Sequence, residues 1–409
     1  MVNTTERRIV VVGASLGGLR AAEQLRAAGW DGEIEVIGDE PYAPYNRPPL
    51  SKELLANPGL SADEALAKVA FRRKKQTEDV TFRLGSAVVS SNLQERVLRL
   101  ADGTQVTFDG LVIASGLRAR RLTAPGPMGG RHVIRTLDDS LALHSELKPG
   151  TQVVVIGAGF IGCEAAATAL ELGCDVTLVE GGKGPMHRPL GSDVAEAFRR
   201  RLVRRGITCL ADRHVEKFEA CDTDSTRVGA VVLASGERLP TEVVIEAVGS
   251  VPNVEWLEGN DLNLTDGVLC DEWLRPVGTS NVVAVGDIAR FPDLRLRQTP
   301  RRIEHWATPG DTAKTAARTL TADLAGASLP DPCDALPNFW SDQFGLRISG
   351  LGSPALADEL AVMEGTLDDI DAGIAVGYWR DSVLVGVVVA GLPAQRLLQY
   401  RTQLTAAAV

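Results

Sequence analysis

Two glycine-rich turns, each reached through an apolar run and followed by a helix-like stretch, constrain this chain more than any other feature. The first reads Val10-Val11-Val12-Gly13-Ala14-Ser15-Leu16-Gly17-Gly18, and the second Val153-Val154-Val155-Ile156-Gly157-Ala158-Gly159-Phe160-Ile161-Gly162. Both have one physical reading. A buried strand delivers the backbone to a tight turn, glycines let that turn approach a pyrophosphate, and the N–H groups of the following helix face the anion. Gly13, Ser15 and Gly18 are therefore candidates at the first turn. Gly157, Gly159, Phe160, Ile161 and Gly162 are candidates at the second. One such turn is a weak signal, but two in the strand–turn–helix context point to a chain that holds two dinucleotides.

Each turn is followed by a second apolar run that ends in acid. Asp39 and Glu40 close Glu33-Ile34-Glu35-Val36-Ile37-Gly38, and Glu180 closes Asp175-Val176-Thr177-Leu178-Val179. An acid about 20 residues beyond the glycines suits ribose hydroxyls. Glu180 would repel a 2′-phosphate and favours NADH over NADPH, while Lys183 and Arg188 just downstream pull the other way.

The 409 residues suit two to three domains, and 44% apolar with 23% charged residues suits a globular protein. No run reaches the roughly 18 apolar residues of a membrane helix. Residues 1–8 are polar and lead straight into the first strand, so a cytoplasmic location without membrane association is expected. A net charge of −10 argues against nucleic acid as a partner. Basic clusters at 72–75 and 199–205 read as solvated faces, the latter on a helix ended by Gly206. The six cysteines, all beyond residue 160, form no metal-ligand spacing and read as buried thiols. No metal site is expected.

The organisation is duplicated. After the first strand–helix–strand unit, Asp102-Gly103 joins two short alternating runs that close on Leu111-Val112-Ile113-Ala114-Ser115-Gly116. After the second, Ser235-Gly236 plays the same part before Val243 to Gly249. Strand Asn281–Asp287 and helix Thr312–Leu324 follow, then a break at Leu329-Pro330-Asp331-Pro332. Strand-like runs at 346–349, 375–379 and 383–389 and a last helix from Pro393 to Leu404 complete the chain.

Arg47-Pro48-Pro49-Leu50-Ser51-Lys52, the two glycine turns, Gly286-Asp287, Arg302-Ile303-Glu304-His305-Trp306 and Phe339-Trp340-Ser341-Asp342-Gln343 together carry a resemblance. The chain resembles, over essentially its whole length, the FAD-dependent, NADH-linked ferredoxin reductases of bacterial oxygenase systems, kin to glutathione reductase. The resemblance implies an α/β fold of two Rossmann-like dinucleotide-binding domains plus a C-terminal α+β domain. It places a discontinuous FAD domain at 1–114 and 246–326, an NADH domain at 115–245 and the third domain at 327–409. It implies that Arg47, Lys52, Ala114, Gly116, Arg135, Gly286 and Asp287 lie at FAD, with the Val88 backbone at the adenine and Lys52 near the flavin N5 region. It puts Glu164 at the nicotinamide carboxamide and Gly249 beside the nicotinamide nucleotide. Trp306 and Trp340 become aromatic walls near the isoalloxazine. Lys52, Glu164, Trp306 and Trp340 are thus the expected catalytic set.

Three positions depart from the family pattern: Ser15 for the middle glycine, Ser115 for a threonine, and Asn338 for a tryptophan near the electron exit. The implied reaction carries electrons from NADH through flavin singly to an acidic iron–sulfur ferredoxin in a transient complex, and indirectly to a P450 or Rieske oxygenase. The enzyme is expected as a monomer or homodimer. Alternatives are an NADH:rubredoxin reductase, an NADH oxidase or diaphorase, and a non-enzymatic NADH-sensing flavoprotein. Disulfide reduction is disfavoured, because Ala43-Pro44-Tyr45-Asn46-Arg47 carries no thiol. Arg295, Arg297, Arg301 and Arg302 are candidates to dock the ferredoxin.

Overall fold

The computed structural model describes residues 7–57, 59–296 and 299–406. Its contacts divide the chain into two compact units. One comprises Met1–Asn46, Val69–Arg118 and Val251–Pro337, and the other Arg47–Lys68, Ala119–Ser250 and Asn338–Val409.

The first unit is built on a five-stranded parallel sheet in the spatial order Val282–Ala284, Gly110–Ile113, Arg8–Val12, Glu33–Ile37, Thr81–Arg83. Strands Val282–Ala284, Gly110–Ile113 and Arg8–Val12 are mostly Val, Ile, Leu and Ala and buried, as strands covered on both faces are, whereas the edge strand Thr81–Arg83 is largely polar and partly exposed. Helices Leu16–Ala27 and Thr308–Ala325 pack on each other, and the buried small side chains of Ala21, Ala22, Ala313, Ala316 and Ala317 allow their close approach. A three-stranded meander, Val88–Asn92, Val97–Leu100 and Gln105–Thr107, is joined at Asp102-Gly103 as the turn chemistry requires.

The second unit repeats that plan. Its parallel sheet runs Thr208–Leu210, Asp175–Val179, Gln152–Ile156, Val243–Glu246, Arg131–His132. Helix Phe160–Glu171 leaves the second glycine turn. The same unit holds an antiparallel sheet in the order Asn338–Gln343, Leu346–Gly352, Val383–Ala390, Ile374–Arg380, Glu359–Glu364. Helix Ala394–Ala406 closes on this sheet through Tyr400 and Leu404. Strand Asn338–Gln343 lies against helix Phe160–Glu171, and its period-2 alternation buries Phe339, Ser341 and Gln343. No helix among the described residues is long and apolar enough to cross a membrane.

Several expectations need correction. The strand expected over 281–287 stops at Ala284. Gly286 takes φ +78°, opens a single turn over Gly286–Ile288, and donates its N–H to Thr312 Oγ1 at 2.9 Å. The second meander contains a strand, Val215–Cys221, that its mixed composition concealed. The cluster at 199–205 is not all solvated. Arg201 is 1% exposed, because Asp371 and the carbonyls of Gln343 and Phe344 take up its guanidinium. Arg73 lies over the Phe82 ring and donates to the Val80 carbonyl. Of the six thiols, all free, Cys163, Cys174, Cys270 and Cys333 are buried, whereas Cys209 and Cys221 are only half-buried.

Candidate functional site

In the first unit, Gly13 stands at φ +119°, and a Cβ on it would fall 2.1 Å from the Ala114 carbonyl oxygen. A Cβ on Gly18 would fall 1.8 Å from the Gly13 carbonyl oxygen, so the helix rests directly on the turn. Gly38, which the motif does not include, is just as tight, 2.3 Å from Ala14 Cβ. Ser15 is the helix N-cap in extended conformation, and no side chain caps the helix. Asp39 is exposed beside the half-buried Glu40, which accepts the Tyr45 hydroxyl at 2.5 Å. Gly116 takes φ +61°. Ser115 donates its hydroxyl to the Asn253 carbonyl at 2.8 Å and accepts Trp256 Nε1 at 3.3 Å. The hydroxyl is what this position uses, which explains why serine can stand for threonine.

The second unit builds the same cradle. Gly157 has φ +98° with a virtual Cβ 2.3 Å from the Ala247 carbonyl oxygen, and a Cβ on Gly162 would fall 1.9 Å from the Gly157 carbonyl oxygen. Gly159, the uncapped N-cap of helix Phe160–Glu171, has nothing within 4 Å of a virtual Cβ. Its open side is where a pyrophosphate can reach the helix N-terminus. Glu180 points back at this turn, accepting Ala158 N–H at 2.5 Å and Gly182 N–H at 2.8 Å. Phe160 packs on Phe339 at 4.9 Å between ring centroids, while Ile161 is exposed. Gly249 takes φ +101° and accepts Arg120 N–H. Its approach strand is anchored by a buried ion pair, Arg131 Nε to Glu246 Oε1 at 2.7 Å, with the guanidinium over the Phe218 ring. Both turns thus fit a dinucleotide, the second with more room.

The second unit also brings Lys52 and Glu164 together. Glu164 is 4% exposed and fully engaged. Lys52 Nζ at 2.8 Å and Ser51 Oγ at 2.6 Å donate to Oε2, while Ser341 Oγ at 2.7 Å and Asp342 N–H at 3.3 Å donate to Oε1. Sequence reasoning found Lys52 and Glu164 but assigned no role to Ser51 or Ser341. The signal available was the alternation of strand 338–343, which turns Ser341 inward with Phe339 and Gln343. Arg47, beside Lys52, donates to the Arg135 carbonyl.

Trp340 lies on the other face of that strand, half-buried, with the Arg347 guanidinium 5.4 Å from its ring centroid. In the first unit, Trp306 is 39% exposed and its indole N–H donates to Asn46 Oδ1 at 2.8 Å. Asp287 sits half-buried on the single turn after strand Val282–Ala284, and Val88 opens the meander against the first core. Burial, with Arg301 adding its charge, holds His305 down to about 4. The candidate docking arginines already carry carboxylate partners: Arg295 with Asp334, Arg301 with Asp293, Arg302 with both Asp266 and Glu304. Arg297 lies outside the described residues.

A family model described as pyridine nucleotide-disulphide oxidoreductase matches residues 7–313. Rhodocoxin reductase of Rhodococcus erythropolis is 33% identical over 369 residues, covering 88% of this chain and 81% of its own. The biphenyl dioxygenase system ferredoxin–NAD(+) reductase component of Paraburkholderia xenovorans LB400 is 33% identical over 356 residues, covering 87% and 83%. Among solved structures, a covalent putidaredoxin reductase–putidaredoxin complex matches with a TM-score of 0.86 at 28% identity, over 98% of this chain and 93% of the matched chain.

Proposed function

The chain belongs to the pyridine nucleotide-disulphide oxidoreductase family, and from that premise we propose that it is an FAD-dependent reductase that takes electrons from NADH and passes them singly to an iron–sulfur ferredoxin serving a P450 or Rieske oxygenase. The family's cofactors are FAD and NAD(H). The observation that carries the reading is the pair of like-built glycine cradles on a chain whose first cysteine is residue 163. Two nucleotides can be held, and no thiol stands in the loop at 43–47 to divert electrons to a disulfide.

Gly13, Ser15, Gly18, Asp39, Glu40, Val88, Ala114, Gly116, Gly286 and Asp287 would hold FAD, with Arg47, Lys52, Arg135 and Trp306. Gly157, Gly159, Phe160, Ile161, Gly162, Glu180 and Gly249 would hold NADH. The corresponding domains are 1–114 with 246–326 for FAD, 115–245 for NADH, and 327–409 as the third. When bound, flavin and nicotinamide supply the electron transfer. The protein's part is alignment, charge and exclusion of water. Lys52 would place a cation beside the flavin, where positive charge stabilises developing negative charge. Glu164 would orient the nicotinamide carboxamide, and Trp306 and Trp340 would wall off water.

The test is direct. The purified protein should show a flavin spectrum bleached anaerobically by NADH much faster than by NADPH, and an added [2Fe–2S] ferredoxin should strongly stimulate cytochrome c reduction. Flavin reduction without any ferredoxin stimulation would overturn the reading in favour of an oxidase or a sensor. Stimulation by a rubredoxin alone would reassign the acceptor.

A further inference from the structure

Glu164 accepts four hydrogen bonds, about as many as the two oxygens of a carboxylate can take. Any ligand N–H that reaches it must displace a donor. Three of the four donors sit on short or rigid supports: Ser51 and Ser341, buried at 4% and 0% exposure, and the backbone of Asp342. Lys52 alone reaches Glu164 on a flexible four-carbon stem. The orientation of the carboxylate therefore rests on the serines whenever Lys52 is not in place.

The direction of the Ser341 bond is fixed by its other neighbour. Gln343 is buried and its Nε2 lies 3.3 Å from Ser341 Oγ and 3.6 Å from Met186 Sδ. With the amide nitrogen facing Ser341, the hydroxyl accepts from Gln343 and spends its single proton on Glu164. The opposite amide orientation would take that proton and leave two acceptors, Glu164 and Ser341, face to face. The backbone of Gln343 is itself held by the buried Arg201, at 3.1 Å to its carbonyl oxygen. Met186, at φ +55°, donates its N–H to the Ala158 carbonyl of the second glycine turn at 2.7 Å. Strand Asn338–Gln343 is thus wired both to the glycine turn and to the carboxylate on the helix that leaves it.

We propose that Ser341 is a positioning residue: polarised by Gln343, it aims Glu164 at the carboxamide of the nicotinamide ring. This rests on the reading that the second turn binds NAD(H). The effect should be specific to the nicotinamide end, because the ADP-ribose part is held by Gly157–Gly162 and Glu180.

The experiment compares, by calorimetry on the flavin-loaded protein, binding of tetrahydro-NAD (a non-reducing analogue) with binding of ADP-ribose. Ser341→Ala and Glu164→Gln should each weaken tetrahydro-NAD about tenfold, near 1.4 kcal/mol, and leave ADP-ribose within twofold. The double variant should be no more than twofold weaker than Glu164→Gln alone, since Ser341 acts through Glu164. Ser341→Cys, nearly isosteric with a weak donor, should show the same selective loss if Ser341→Ala fails to fold. Equal weakening of both ligands, no weakening in Ser341→Ala, or multiplicative losses in the double variant would overturn the proposal. Failure of the wild-type protein to bind ADP-ribose would instead overturn the nucleotide assignment on which it rests.

Discussion

Gly157 and Gly159 stand two positions apart in one motif, yet they are glycines for different reasons. Gly157 needs a left-handed backbone and has the Ala247 carbonyl oxygen 2.3 Å from where its Cβ would stand. Gly157→Ala should therefore cost about 2–4 kcal/mol of folding stability, read as a lowered urea midpoint. Gly159 has an ordinary φ of −71° and open space before it. Gly159→Ser should change stability by less than about 0.5 kcal/mol, because serine is itself a good N-cap. It should weaken NADH several-fold all the same, as the side chain fills the pyrophosphate approach. The first turn already carries a serine at this point, Ser15, so Ser15→Gly is expected to tighten FAD.

His305 gives a second expectation at this scale. Its folded-state value of about 4 lies below the ordinary imidazole value near 6.5. The unfolded chain thus takes up a proton below about pH 6.5 that the folded chain refuses until about pH 4. Stability present above this window is lost as pH falls through it, by about 2 kcal/mol between pH 7 and pH 5. His132, also lowered by burial, acts in the same direction, so the His305 share is the part of the slope that His305→Gln removes. Equal slopes of urea midpoint against pH in wild type and variant would refute it.

At the scale of elements, Arg201 joins helix Ser192–Arg205 to the far end of strand Asn338–Gln343 and to Asp371. Its guanidinium is buried and its bonds run to one carboxylate and two carbonyls. Arg201→Ala would strand those carbonyls and should cost about 3–5 kcal/mol. Arg200→Ala next to it, bonded at the surface to Asp368 and Leu367, should cost under about 1 kcal/mol. The sequence makes the two arginines look alike, because partners some 140–170 positions away decide which is buried. The same limit concealed Ser341, whose role depends on a helix 177 positions earlier. The glycine turns, the hairpins at Asp102-Gly103 and Ser235-Gly236, and the two parallel sheets were legible because their determinants are local: apolar period, turn chemistry and positive φ. Strand Val215–Cys221 escaped because its charged residues hide the alternation. Asn281–Asp287 read one turn too long because the Thr312 hydroxyl that takes the Gly286 N–H comes from a distant helix.

For the whole molecule, the question is how a chain of net charge −10 would meet a ferredoxin of the acidic kind that the resemblance implies. Opposite-sign patches speed association and make it fall with salt, and like charges do the reverse. The arginines at 295, 301 and 302 looked like such a patch in the sequence. Each is now matched by aspartate, and Arg302 by a glutamate as well, at 2.6–2.9 Å. Such pairs nearly cancel beyond a few ångströms and leave the overall acidic field to act at a distance. That field reaches about 30 Å at 0.01 M salt and about 8 Å at 0.15 M. The rate of ferredoxin reduction, followed directly by stopped-flow at limiting ferredoxin, should therefore stay level or rise as salt increases between these values. Arg295→Gln should make the rise with salt steeper, since it leaves Asp334 unpaired and takes the net charge from −10 to −11, whereas Arg295→Gln combined with Asp334→Asn, which removes the pair whole, should leave the slope unchanged. A rate that falls tenfold or more with salt would show that attraction is supplied by cations other than these three.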